Sequence, residues 1–178
     1  MNACESILGL SPYQGGKPIE ELARELGLTK ISKLASNENP LGISSKVKKA
    51  INDSLSSINR YPDGNCFELK KAIAIKHNVA TEMISLGNGS NELLELIARV
   101  FVSKHTDEVI FSQYAFVVYP LVTQALGATA SVSPAKNFSH DLNSMLSMIT
   151  KNTKLIFVAN PNNPTGTLLS DDDVYSFL

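Results

Sequence analysis

The sequence predicts an α/β protein, a mainly parallel sheet flanked by helices, preceded by an N-terminal helical arm. Three observations predict it. From residue 83 onward, short apolar runs alternate with amphipathic stretches of helical period. The run Leu155 to Ala159 is apolar throughout, as in a strand buried on both faces. Residues 1–45 are punctuated by Ser11-Pro12, Gly15-Gly16, Lys17-Pro18 and Asn39-Pro40, which mark arm and turn.

The first helix is opened by Pro18, carries Ile19, Leu22, Ala23 and Leu26 on one face, and is closed by Gly27. A second is expected from Ser45 to Ile58 on Val47, Ala50, Ile51 and Leu55, and a third from Cys66 to Asn78 on Phe67, Leu69, Ala72, Ile73 and Ile75. The alternating part begins with a strand at Met83–Leu86 and a helix at Glu92–Val102. A strand at Glu108–Ser112, a helix at Val118–Leu126, a strand at Thr129–Val132, a helix at Asn143–Ile149 and a strand at Leu155–Ala159 follow. This order divides the chain at residues 1–60 and 61–178. Ligands of such sheets bind beyond the carboxyl ends of the strands.

Composition excludes several classes. The 178 residues are 43% hydrophobic and 19% charged with net charge −1, so no basic footprint for nucleic acid or anionic lipid exists. Apolar runs such as Ala115 to Tyr119 fall far short of the roughly 20 residues that span a bilayer. The first residues lack a signal-peptide layout, and Cys4 and Cys66 have neither metal spacing nor a disulfide framework, which points to the cytoplasm. His77, His105 and His140 are isolated and no metal site is expected. No Gly-x-Ser-x-Gly elbow is present.

Two motifs follow strands. In Leu86-Gly87-Asn88-Gly89-Ser90-Asn91, glycines permit close backbone approach and the amides of Gly89, Ser90 and Asn91 open a helix. Free amides at the positive end of a helix dipole seat an anion, most naturally a phosphate. The Walker lysine is missing and Glu92 stands where the dinucleotide fingerprint needs glycine. A tight turn with a Ser or Asn cap remains the plain alternative. In Asn160-Pro161-Asn162-Asn163-Pro164-Thr165-Gly166, prolines and glycine hold the asparagines rigidly, and an amide can donate to a phenolate-like oxygen without bringing charge.

The second motif resembles the signature loop of fold-type I aminotransferases, which are pyridoxal-phosphate enzymes. The resemblance implies that Asn163 bonds the cofactor's ring hydroxyl oxygen and that Gly89, Ser90 and Asn91 hold its phosphate. It also implies that Tyr114 stacks on its ring. Two further stretches, Ser11-Pro12-Tyr13-Gln14-Gly15-Gly16-Lys17-Pro18 and Lys33-Leu34-Ala35-Ser36-Asn37-Glu38-Asn39-Pro40, resemble the N-terminal arm of histidinol-phosphate aminotransferases. Asn59-Arg60-Tyr61-Pro62-Asp63 resembles the turn whose tyrosine reaches the partner subunit's cofactor. Amino transfer between L-histidinol phosphate and 2-oxoglutarate in histidine biosynthesis, homodimerisation through Tyr61, and Tyr13 and Asn37 on the substrate side are what this implies. Residues 1–60 become a small-domain and dimer-contact segment, and 61–178 the front of an incomplete cofactor-binding domain. Aromatic aminotransferases and threonine-phosphate decarboxylase-like enzymes are the rival memberships, and a non-catalytic relic or phosphate-binding module the rival class.

The family also uses a Schiff-base lysine, a carboxylate on the pyridine nitrogen and a substrate arginine, all expected beyond residue 178. Lys104, Lys136, Lys151 and Lys154 lie in polar stretches where a lysine keeps its charge. The chain alone is therefore expected to be inactive and, with an open sheet edge, aggregation-prone. Asp171-Asp172-Asp173 after Ser170 reads as a capped helix start.

Overall fold

The computed structural model describes residues 3–13, 15–34 and 36–178. They form two compact units, one made of residues 14–84 and the other of residues 1–13 with Ser85–Leu178.

In the unit spanning 14–84, α2 (Ile19–Leu26) ends on Gly27 in the left-handed conformation, whose amide bonds the Ala23 carbonyl. Glycine alone adopts that backbone without a Cβ clash, so the sequence's stop signal acts as expected. Helix α3 (Ser45–Ser54) starts at Ser44, whose side chain accepts from the Val47 amide. It is shorter than the sequence suggests, because Leu55–Ser57 tightens into a 3-10 turn. The serines at 54, 56 and 57 bond carbonyls three residues back, which competes with α-helical continuation. Helix α4 (Phe67–His77) is opened by Asp63, whose carboxylate accepts from the Asn65 and Phe67 amides. None of α2, α3 or α4 buries a residue fully.

The other unit holds a short α1 (Glu5–Leu8), α5 (Ser90–Phe101), β1 (Glu108–Ser112), α6 (Val118–Ala125) and β2 (Thr129–Ser133). A two-residue ribbon β3 (Ala135–Lys136) and β4 (Ser139–His140), α7 (Leu142–Ser147), β5 (Thr153–Phe157) and α8 (Asp171–Phe177) complete it. Strand order is β2-β1-β5, parallel throughout, as the alternating pattern requires. The central strand is the most buried: Val109 and Ile110 are fully enclosed, and each such side chain contributes about 1.5–3 kcal/mol. Above the sheet, Tyr119 of α6 stacks on Phe157 of β5 with ring centroids 4.4 Å apart and 4° between planes. Burial raises the Tyr119 hydroxyl above its ordinary pKa. Ser170 and Asp173 form a reciprocal capping box that starts α8, as the sequence indicates.

One expected strand is not found. Residues 81–83 form a 3-10 turn and Ile84 is extended, but no described segment pairs with Met83–Leu86. A strand exists through its ladder, and an apolar run with no neighbour stays irregular. The ribbon β3–β4 was not expected from the sequence. Its two-residue turn, Asn137-Phe138, has positive φ at both positions, 52° and 61°, as type I′ hairpins require.

Candidate functional site

Parallel neighbours release their loops at the same edge, so the segments after β1 and β5 emerge side by side. Two residues past β1 stands Tyr114, 41% exposed. The loop after β5 is built around Asn162, only 4% exposed. Its amide nitrogen Nδ2 donates to the Tyr114 carbonyl at 3.0 Å and to Thr165 Oγ1 at 2.7 Å. Thr165 Oγ1 pairs with Thr167 Oγ1 at 3.1 Å, and Thr167 Oγ1 donates to the Phe138 carbonyl at 3.2 Å. The Phe138 ring returns to Tyr114, with centroids 5.2 Å apart and planes tilted by 40°. A closed circuit therefore links three loops around Tyr114.

The loop is folded by its own asparagines. Asn160 accepts from the Leu169 amide at 2.8 Å and donates to its carbonyl at 3.2 Å, closing the base. The Asn162 amide and carbonyl bond Thr167 and Gly166 at 2.8 Å each. Both Asn-Pro bonds are cis. With its neighbour pinned, Asn163 projects at the exposed surface and makes no hydrogen bond among the described residues. His140 ties the ribbon to the same edge: its Nε2 donates to the Ala159 carbonyl at 2.9 Å. Sequence reasoning missed Asn162, His140 and Phe138, since neither burial nor an aromatic at positive φ can be read from local residue types.

Helix α5 belongs to the same unit. Val102, the residue after it, and Val109 of β1 belong to one buried cluster, on which Leu94 packs. A turn of six residues, closed by the Ser103 and Lys104 amides on Asp107, puts the carboxyl end of α5 beside the start of β1, so its amino end runs back toward the edge where the strands finish. Gly89 caps it at φ 80° and ψ 170°, a region open essentially to glycine alone. A Cβ there would meet nothing within 4 Å, so the seat is open. The amides of Ser90 and Asn91 have no acceptor among the described residues. The Glu92 carboxylate folds back to accept from the Asn88 amide at 2.5 Å, bracing the turn, and a Cβ on Gly87 would lie 2.8 Å from it.

The remaining candidates sit elsewhere. Tyr13 lies with Glu95, Arg99, Leu121 and Ala125 in a groove along α5 and α6, apart from the Tyr114–Asn162 circuit. Asn37 and Tyr61 belong to the unit of residues 14–84, both exposed, Tyr61 completely. Gln14 and Ala35, within two of the arm stretches, lie outside the described residues. Lys104, Lys136, Lys151 and Lys154 are exposed.

Free helix-end amides around an open glycine, a half-exposed aromatic and an unpaired carboxamide suit a phosphorylated aromatic ring. Residues 29–178 match the family of class I and II aminotransferases. The chain belongs to that family. Over 172 residues it is 59% identical to histidinol-phosphate aminotransferase 1 of Mannheimia succiniciproducens, covering 97% of this chain and 47% of that one. The corresponding enzyme of Idiomarina loihiensis is 59% identical over 169 residues, 95% of this chain and 46% of that one. The crystal structure of histidinol-phosphate aminotransferase from Sinorhizobium meliloti in complex with pyridoxal-5′-phosphate superposes with a TM-score of 0.86 at 25% identity. That superposition covers 97% of this chain and 46% of that one. This aminotransferase-family chain thus spans about half the length of the curated relatives it matches.

Proposed function

We propose that the chain supplies the cofactor-holding front of an aminotransferase that moves the amino group between L-histidinol phosphate and 2-oxoglutarate. The cofactor is pyridoxal 5′-phosphate, the compound seen with the Sinorhizobium meliloti relative. The observation that carries this reading is the Asn162–Tyr114 hydrogen bond, which sets an aromatic face and the Asn163 carboxamide on adjacent loops.

When bound, pyridoxal 5′-phosphate withdraws electrons from the carbon that bears the transferred amino group. The chain's part is binding and orientation. Ser90 and Asn91 present free amides at the positive end of α5, and Gly89 lets the phosphate approach the backbone. Tyr114 offers its ring face, which supplies dispersion and would hold the cofactor ring in a fixed plane beside the carbon where the proton is transferred. Asn163 donates from Nδ2 to the ring oxygen and stabilises negative charge there without adding a cation. Tyr61, free on its turn, reaches the cofactor phosphate of a second copy, and Tyr13 and Asn37 face the substrate in that assembly. A cytoplasmic homodimer is the form in which these roles meet.

Substrate choice rests on the names of the relatives at 59% identity. The test is amino transfer to 2-oxoglutarate by the intact gene product from L-histidinol phosphate, from aromatic amino acids, and decarboxylation of threonine phosphate. The expected result is highest kcat/KM for L-histidinol phosphate. Preference for an aromatic donor or for decarboxylation would replace the substrate reading, and no pyridoxal-phosphate binding at all would leave the relic or module.

A further inference from the structure

From the Phe138 turn we infer that Phe138 is a positioning residue for Tyr114, setting the ring that receives the cofactor; the inference rests on the function proposed above. Three independent features meet at this residue. Its backbone is at φ 61°, in the second position of a two-residue hairpin turn where glycine is favoured and a bulky aromatic is strained. The residue is 62% exposed, so little apolar burial offsets that strain. Yet the ring lies 5.2 Å from Tyr114, and the Phe138 carbonyl accepts from Thr167 of the asparagine-rich loop at 3.2 Å.

A residue that is locally unfavourable and poorly buried, but held from two sides, has another use for its side chain. Beside Phe138 at a tilt of 40°, Tyr114 still keeps 41% of its surface exposed for a ligand. With its carbonyl fixed by Asn162 and its ring braced by Phe138, Tyr114 has little rotational freedom left to lose when a planar ligand stacks on it. Thr167 links the same turn to the loop bearing Asn163, so ring stacking and ring-oxygen donation share one support.

Glycine and alanine replacements separate the backbone from the ring. Both lack the aromatic group; only glycine accepts positive φ freely. The intact gene product is compared with its Phe138→Gly, Phe138→Ala and Phe138→Tyr variants for thermal unfolding without cofactor and for pyridoxal 5′-phosphate affinity by absorbance titration. Phe138→Gly is expected to melt at or above the parent temperature and Phe138→Ala below it. Both should lose the same affinity, about three- to tenfold for one aromatic pair, while Phe138→Tyr keeps it. Affinity that follows melting temperature across the series, or unchanged affinity in Phe138→Gly, overturns the positioning role alone. Failure of the parent protein to bind pyridoxal 5′-phosphate overturns the functional reading and this inference with it.

Discussion

Asn162 reaches across 48 positions of sequence to hold the carbonyl of Tyr114, with Nδ2 and that oxygen 3.0 Å apart. Its own Oδ1 is buried without a partner among the described residues, so the amide is present for its donor. Two adjacent asparagines therefore have opposite jobs, and mutation separates them. Asn162→Ala leaves the part-buried Tyr114 carbonyl and the Thr165 hydroxyl without this donor and is expected to destabilise by about 1–3 kcal/mol in chemical denaturation. Asn163→Ala, at an exposed site, is expected to stay within about 0.5 kcal/mol of the parent and to weaken pyridoxal 5′-phosphate binding instead.

The glycine that caps α5 tests the phosphate seat. At φ 80° and ψ 170°, Gly89→Ala meets no steric neighbour, so its whole effect is backbone strain of about 1–3 kcal/mol. Relief of that strain turns the amides of Ser90 and Asn91. Equilibrium denaturation together with titration by inorganic phosphate should show both losses; an intact phosphate affinity would place the anion elsewhere.

Acid sensitivity is expected from the turn that feeds β1. The buried Asp107 carboxylate accepts from the Ser103 amide at 2.8 Å and the Lys104 amide at 2.9 Å. Those amides, with Lys154 and Lys104 nearby, hold its pKa below the ordinary 3.8 despite the opposing effect of burial. A depressed folded pKa means the unfolded chain binds the proton first on acidification. The stabilisation is complete above about pH 4 and is lost as pH falls through the folded pKa. Asp107→Asn should flatten this acid limb in melts recorded from neutral to low pH, and an unchanged slope would assign the limb to other carboxylates.

The unit of residues 14–84 leaves much apolar surface uncovered: Leu34 is 95% exposed, Leu41 91% and Ile75 74%. Patches of this kind bind hydrophobic dyes and self-associate. The 178-residue chain by itself is expected to enhance anilinonaphthalene sulfonate fluorescence and to elute as a mixture in size-exclusion chromatography. A dye-silent, monodisperse monomer would show that this surface is covered.

Much of the fold was legible because local chemistry and tertiary role agree. Glu-Val-Ile-Phe-Ser reads as a buried strand and is one, at Glu108–Ser112 with no shift. Gly27 and Ser170 stop and start helices where their backbone and hydroxyl chemistry requires. Met83–Leu86 shows the opposite case, since its residues are as apolar as a strand's but pairing is a property of the neighbour. In the candidate site, the glycine turn and the Asn-Pro loop stand out through composition alone. Which asparagine is buried, and that an Asn-Phe pair would make a hairpin turn normally given to Asn-Gly, depend on residues remote in sequence.

Strand order has a consequence for how the protein is made. The first strand synthesised, β1, is the central one, with β2 beside it on one flank and β5 on the other. Chains leave the ribosome from the amino end at about 5–20 residues per second. Both partners of the β1–β2 pair are thus made while residues past 133 are still arriving. The Asn162–Tyr114 hydrogen bond, which needs the loop after β5, is therefore the last of these contacts to become possible.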